Sequence, residues 1–139
     1  MTIKMDAVAL QAFLVEVFPQ VHTDFDVMDL TDKGVRVRLV TAERHLRPGG
    51  TVSGPAMFAL ADVAMYLAVL SRIGPAALAV TTNCSIDFMR KPASGADLLC
   101  EVVLHKVGRV LAVGDCLIYS IGMDDPVARA SLTYSIPPK

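Results

Sequence analysis

Asp62 has the setting that most invites chemistry. It stands inside Phe58-Ala59-Leu60-Ala61-Asp62-Val63-Ala64-Met65, with no cationic residue within a helical turn on either side. A lone carboxylate in such a helix has two uses. It can be a surface group, solvated or paired with an arginine from elsewhere. It can also be a catalytic base in a dry pocket, where loss of water strengthens it. Just upstream the chain reads Arg47-Pro48-Gly49-Gly50-Thr51-Val52-Ser53-Gly54-Pro55. These glycines serve a turn, or they free a helix N-terminus to offer a backbone N–H and a positive dipole end to an oxygen anion. Pro55 has no N–H, so Gly54 is the donor in that second reading. Ser53 precedes a run of helix formers and is expected to cap it. A nucleophilic role for Ser53 finds no support: G-x-S-x-G is not satisfied, and His22, His45 and His105 lack triad spacing. The glycine stretch also lacks the phosphate-loop and dinucleotide patterns. Arg90-Lys91, and Lys106 with Arg109, form small basic clusters. They read as ordinary surface charge, or as a rim that holds the phosphates of a nucleotide-tailed ligand.

These groups need elements to position them. Asp6 to Phe18 reads as an amphipathic helix, with Leu10, Phe13, Leu14, Val17 and Phe18 at helical spacing before Pro19. Gly34 to Val40 alternates like a half-exposed strand, with Arg36 and Arg38 on the wet face. Glu43 to Gly54 is a loop. Pro55 to Ser71 or Arg72 is a helix, apolar nearly all round, that Gly74-Pro75 ends. Four strand-like stretches follow. In the first, Val80, Thr82, Cys84, Ile86 and Phe88 alternate with Thr81, Asn83, Ser85, Asp87 and Met89. Then come Leu98 to His105, Arg109 to Ile121, and Val127 to Ile136. The last of these has Ala128, Ala130, Leu132, Tyr134 and Ile136 facing one way. Joined by short turns, the four predict an antiparallel meander. The expected architecture is α+β: an antiparallel sheet of about five to six strands wrapped around one long helix, in a single domain over 1–139. Such a sheet leaves an edge, and pairing two copies edge to edge is a natural solution.

Composition narrows the class. The 139 residues are 53% hydrophobic and only 19% charged, so disorder is not expected. Two readings survive: a membrane protein, or a small domain that hides apolar surface in an oligomer. The longest apolar run, Pro55 to Leu70, is shorter than the ~20 residues a spanning helix needs and carries Asp62 at its middle. The oligomer reading is therefore preferred. With 13 basic and 14 acidic residues, net charge is −1, and no general attraction to nucleic acid or anionic membrane follows. Cys84, Cys100 and Cys116 form no C-x-x-C and no Cys/His cluster. Free thiols in a reducing, cytoplasmic setting are expected, with no metal. Asp6 interrupts the apolar run that an export signal would need at the N-terminus.

Arg47 to Gly54, then Leu60-Ala61-Asp62, resembles the active-site segment of hotdog-fold acyl-CoA thioesterases of the phenylacetate-pathway, PaaI-like type. Val80-Thr81 and Ile86 to Pro92 look like that family's following strand. Gly108 to Val113 looks like its next hairpin. The resemblance runs from about Arg38 to Tyr134. It implies hydrolysis of coenzyme A thioesters, with Asp62 as the catalytic carboxylate and the Gly54 N–H as donor to the thioester carbonyl. It further implies a site between two subunits, dimers or dimers of dimers, and no metal or redox cofactor. Thr81 matches a position that often carries a hydroxyl and is expected to orient water; Asn83, read on the same strand face, is a looser substrate-binding candidate. Arg90, Lys91, Lys106 and Arg109 are expected to bind the substrate. The family usually has Asn at the position of Arg47, and His-Gly-Gly where Ser53-Gly54-Pro55 stand. Arg47 is expected to pair with Asp62 and weaken it as a base, to polarise the carbonyl, or to hold an acyl carboxylate. Ser53 keeps one hydrogen bond to give.

The leading expectation is an enzyme that cleaves a short- or medium-chain or aromatic acyl-CoA. The alternatives are a hotdog protein that binds an acyl thioester or other apolar ligand without turnover, and a hotdog hydratase. The last needs an acid–base pair, for which His45 is the one candidate near Arg47.

Overall fold

A helix without a polar face forces its surroundings. Helix α2 (Gly54–Ile73) is long and apolar enough to cross a membrane, yet 78% of its most apolar window is buried inside the fold. The computed structural model describes residues 2–138. Around α2 stand helix α1 (Ala7–Val17) and strands β1 (Phe25–Leu30), β2 (Val35–Leu39), β3 (Val80–Phe88), β4 (Leu98–Val107), β5 (Leu111–Ser120) and β6 (Pro126–Ser135). The strands form one six-stranded sheet in the order β1-β2-β4-β5-β6-β3, antiparallel throughout. Leu60, Met65, Leu67 and Leu70 of α2 pack fully buried in one core with Val35, Val37, Leu98, Ile118 and Leu132 of the sheet. At Gly114 helix and sheet come so close that an added Cβ would lie 3.0 Å from the Met65 sulfur.

Three sequence expectations need correction. Strand β1 is missing from the sequence reading, because Asp26 and Asp29 dilute its apolar signal. Its alternation is also broken by a bulge between Val27 and Asp29. The last four strands are not a simple meander. β4, β5 and β6 are, but the connection 89–97 crosses the sheet, so β3 pairs with β6 rather than β4. Finally, β3 does not alternate cleanly. Thr81 lies opposite Tyr134 and Asn83 opposite Thr133, so Thr82 is an extra residue and the strand changes phase there. Thr81, Cys84 and Ile86 are the half-buried side chains of β3, while Val80, Thr82 and Phe88 are exposed.

The two sheet edges are treated differently. At β1 the Gln11 side chain of α1 accepts from the Val27 N–H at 2.7 Å and donates to the Phe25 carbonyl at 3.0 Å. It thereby occupies the free edge with a side-chain amide. Among the described residues, no strand pairs with the outer edge of β3. At the far end of α2, buried Arg72 donates to the Thr31 and Asp32 carbonyls at 2.8 and 3.2 Å and to the Ser71 hydroxyl at 2.7 Å. It ties the β1–β2 turn to the helix.

That turn has no spare volume. A Cβ on Gly34 would sit 1.7 Å from the Val102 carbonyl oxygen of β4, a clash only backbone movement relieves. Gly34→Ala is expected to lose about 3 kcal/mol and to lower Tm by about 10 °C, measured by thermal unfolding; an unchanged Tm contradicts the packing described.

Candidate functional site

Asp62 lies in the middle of α2 and is half-buried. Its Oδ1 accepts from the Thr81 hydroxyl and from the Tyr134 hydroxyl, the latter at 2.7 Å. The Tyr134 oxygen is also 2.9 Å from the Asp62 carbonyl. Oδ2 makes no hydrogen bond among the described residues. Burial, and then the Asp62 charge, push the Tyr134 phenol far above its usual range, so it keeps its proton and acts as donor. The carboxylate is thus clamped by one oxygen between two strands, with the other left for chemistry. The β3 bulge is what turns Thr81 rather than Thr82 toward Asp62.

A cleft of about 390 Å³ opens beside this carboxylate. Val17 of α1 with its C-cap Phe18, Val63 and Tyr66 of α2, and Ala77 and Val80 form most of its wall. No Lys, Arg or His lines it. Tyr66 donates to the Ala77 carbonyl at 3.0 Å, and its ring is tilted 40° against Tyr134 at 6.2 Å. Cys84 is a further titratable neighbour; burial first, then Asp62, push its thiol up.

Gly54 belongs to a different place in the same chain. Eight residues along a helix correspond to about 12 Å of rise and about 80° of rotation. The N-terminus of α2 opens on a separate cleft of about 320 Å³, lined by Arg47, Gly54, Met57, Phe88, Arg90 and Lys91. Ser53 is the expected cap: its hydroxyl accepts from the Ala56 N–H at 3.2 Å. The Gly54 N–H has no acceptor among the described residues. The Phe88 ring covers Gly54, 3.4 Å from where a Cβ would stand.

The sequence candidates therefore divide. Asp62 and Thr81 meet. Gly54, Arg47, Arg90 and Lys91 gather at the other cleft. Arg47 forms no ion pair with Asp62 within the chain; the carboxylate's partners are hydroxyls. Asn83 does not share a face with Thr81, because the bulge lies between them. Lys106 and Arg109 flank the β4–β5 turn, at the sheet end that also carries Val80, as the pairing of both Leu111 and Val80 with Ser135 shows. Cys84, Cys100 and Cys116 are free thiols. Among the described residues, no three His, Cys, Asp or Glu side chains converge as metal ligands.

His45 is buried away from both clefts. Its Nδ1 accepts from the Ala42 N–H at 2.9 Å, and Nε2 lies 3.3 Å from Asp24. It stitches the loop onto the fold and is not placed to work with Asp62. Tyr134 is the site residue that sequence reasoning missed. Its inward register was legible, and a buried phenol needs a partner, but the distance to Asp62 spans 72 residues.

Comparison with known proteins bears on the family and the fold. The thioesterase superfamily matches residues 49–126. A crystal structure from Silicibacter sp. TM1040, of a protein provisionally named a thioesterase, is 58% identical. It covers 99% of this chain and 96% of that one, with a TM-score of 0.93. A variant of the phenylacetic acid degradation protein PaaI from Thermus thermophilus is 28% identical, with coverages of 86% and 99% and a TM-score of 0.72. A Deinococcus radiodurans protein provisionally named an esterase is 35% identical over 86 residues, 62% of this chain; the chain spans 56% of that curated relative's length.

His45 also sets a pH response. Burial, and then neighbouring Arg44, hold its imidazole below the usual range, outweighing an Asp24 carboxylate that Arg44 already engages. The unfolded chain takes up a proton as pH falls through about 6.5, where the folded chain still refuses it. The contribution of His45 to stability is thus complete above that pH and declines as pH falls below it. Between about pH 7 and 5.5, Tm is expected to fall more steeply for the natural chain than for His45→Asn; parallel curves contradict this.

Proposed function

This chain belongs to the thioesterase superfamily, and from that footing we propose that it hydrolyses an acyl-CoA thioester to the free acid and coenzyme A. Its fold is the hotdog fold, with PaaI proteins among its structural neighbours. The observation that carries the reading is Asp62, clamped by Thr81 and Tyr134 at the mouth of an uncharged cleft beside an open strand edge.

One chain cannot bring the Gly54 N–H and the Asp62 carboxylate to one carbonyl, given their separation along α2. Two chains can. If β3 pairs antiparallel with β3 of a second copy about a two-fold axis, the Phe88 end of one strand falls beside the Thr81 end of the other. Phe88 packs over Gly54, and Thr81 bonds Asp62. The pairing therefore carries Gly54 of the partner subunit toward Asp62. It also buries the Val80 and Phe88 side chains, 56% and 52% exposed in the single chain.

In the proposed reaction the Asp62 carboxylate takes a proton from water as the water oxygen attacks the thioester carbon. Thr81 holds the carboxylate and can orient that water. The oxyanion accepts from the Gly54 N–H at the positive end of the partner's α2. The C–S bond then breaks, and the departing thiolate takes the proton back from Asp62. Arg47, Arg90 and Lys91 place positive charge on the Gly54 side for the phosphates of coenzyme A. The chemistry draws on no cofactor beyond the substrate's own carrier.

Asp62→Asn is expected to lower kcat/KM for phenylacetyl-CoA by at least about a hundredfold, read as thiol release, while the oligomer persists. Full activity in that variant, or no thiol release by the natural chain across an acyl-CoA panel, overturns the proposal. Sedimentation is expected to show a dimer or larger; a monomer active at the same concentration overturns the shared site.

A further inference from the structure

The two clefts that meet across the proposed seam differ in electrostatic character. The Gly54 side is lined by Arg47, Arg90 and Lys91. The Asp62 side has no cation, and apart from Asp62 its charge-free wall comes from Val17, Phe18, Val63, Tyr66, Ala77 and Val80. An acyl-CoA is polarised in the same sense, with phosphates at one end and an acyl tail at the other. Resting on the reading above, we propose that the cleft between the end of α1 and the Ala77–Val80 segment takes the acyl tail. Phe18 and Ala77 set its length, and it selects uncharged aromatic or short apolar acyl groups against carboxylate-terminated ones.

Three observations carry this. The wall of the cleft is largely apolar: Val17, Phe18, Val63, Ala77, Ala79 and Val80 line it, and Phe18 is 37% exposed in the single chain. The Tyr66 and Tyr134 rings, tilted 40° to each other, present an aromatic wall suited to edge-to-face contact with a ring. Lastly, the only ionised group at the cleft is Asp62. A terminal carboxylate entering it meets no counter-ion and a charge of its own sign, and a buried charge without a partner is strongly disfavoured. Phe18 follows the last turn of α1 as its C-cap, so its side chain can be cut back without opening the core. Ala77 faces it from the segment before β3, and its backbone carbonyl, not its methyl, holds Tyr66.

The test uses the full chain, with phenylacetyl-, hexanoyl-, decanoyl- and adipoyl-CoA assayed for thiol release. The natural chain is expected to prefer hexanoyl- over adipoyl-CoA by about a hundredfold or more. Phe18→Ala is expected to raise the decanoyl-to-phenylacetyl ratio of kcat/KM about tenfold, and Ala77→Phe to lower it by a similar factor. Ratios that stay put in both variants, or adipoyl-CoA turned over as well as hexanoyl-CoA, overturn the inference while leaving the hydrolase reading intact. If no thioester is cleaved, the hydrolase reading fails, and the same ratios are read as Kd for non-hydrolysable thioether analogues by calorimetry. Opposite shifts in the two variants then uphold the tail pocket, and unmoved ratios or undetectable binding overturn it.

Discussion

Helix α2 has no polar face to give to water, so the other elements are placed by the need to surround it. Burying it takes a sheet that curls, and a curled sheet that does not close leaves two margins. One margin, at β1, is occupied by α1 through the amide of Gln11. The other, at β3, is open, and there the wrapping around α2 thins. Asp62 is the one ionised residue in the middle of the helix, and it sits at that thin place. Between Leu60 and Arg72 every position of α2 other than Asp62 is buried, and a carboxylate there would lack water and partner. The position of the charge and the incompleteness of the wrapping are two sides of one geometric fact.

Much of this was legible beforehand, because it depends on local pattern. The limits of α2 follow from Ser53, Pro55 and Gly74, each with a distinct backbone reason. The strands β2, β4, β5 and β6 follow from alternation in segments with one buried face. What escaped has an equally definite origin. β1 is acidic and bulged, so its period is broken within six residues. The neighbour of β3 could not be read, because a nine-residue connection joins either an adjacent strand or one across the sheet. Tyr134 was placed on the correct face, yet nothing local ties it to Asp62; their bond is a product of closing the whole sheet.

The departures from the family pattern also acquire physical content. A serine stands where the resemblance implies a histidine, and it is spent on the helix end, its hydroxyl facing the Ala56 amide. The histidine that does occur nearby, His45, is spent on the loop and on Asp24. Arg47 lies with Arg90 and Lys91 rather than with Asp62. The loop before α2 thus carries a cation in Arg47, while the acid in the middle of the helix is served by the hydroxyls of Thr81 and Tyr134. That distribution places positive charge and proton-accepting power in separate compartments.

The bulge in β3 has a consequence for how such a site is specified. Thr81 and Thr82 are chemically the same residue, side by side, yet one hydroxyl reaches Asp62 and the other bonds a backbone carbonyl of the neighbouring strand on the exposed side. Residue identity does not distinguish them; a counting offset of one does. The instruction for the hydroxyl is therefore written as arithmetic in the chain, and an indel beside it could silence the threonine while every letter of the motif stayed in place.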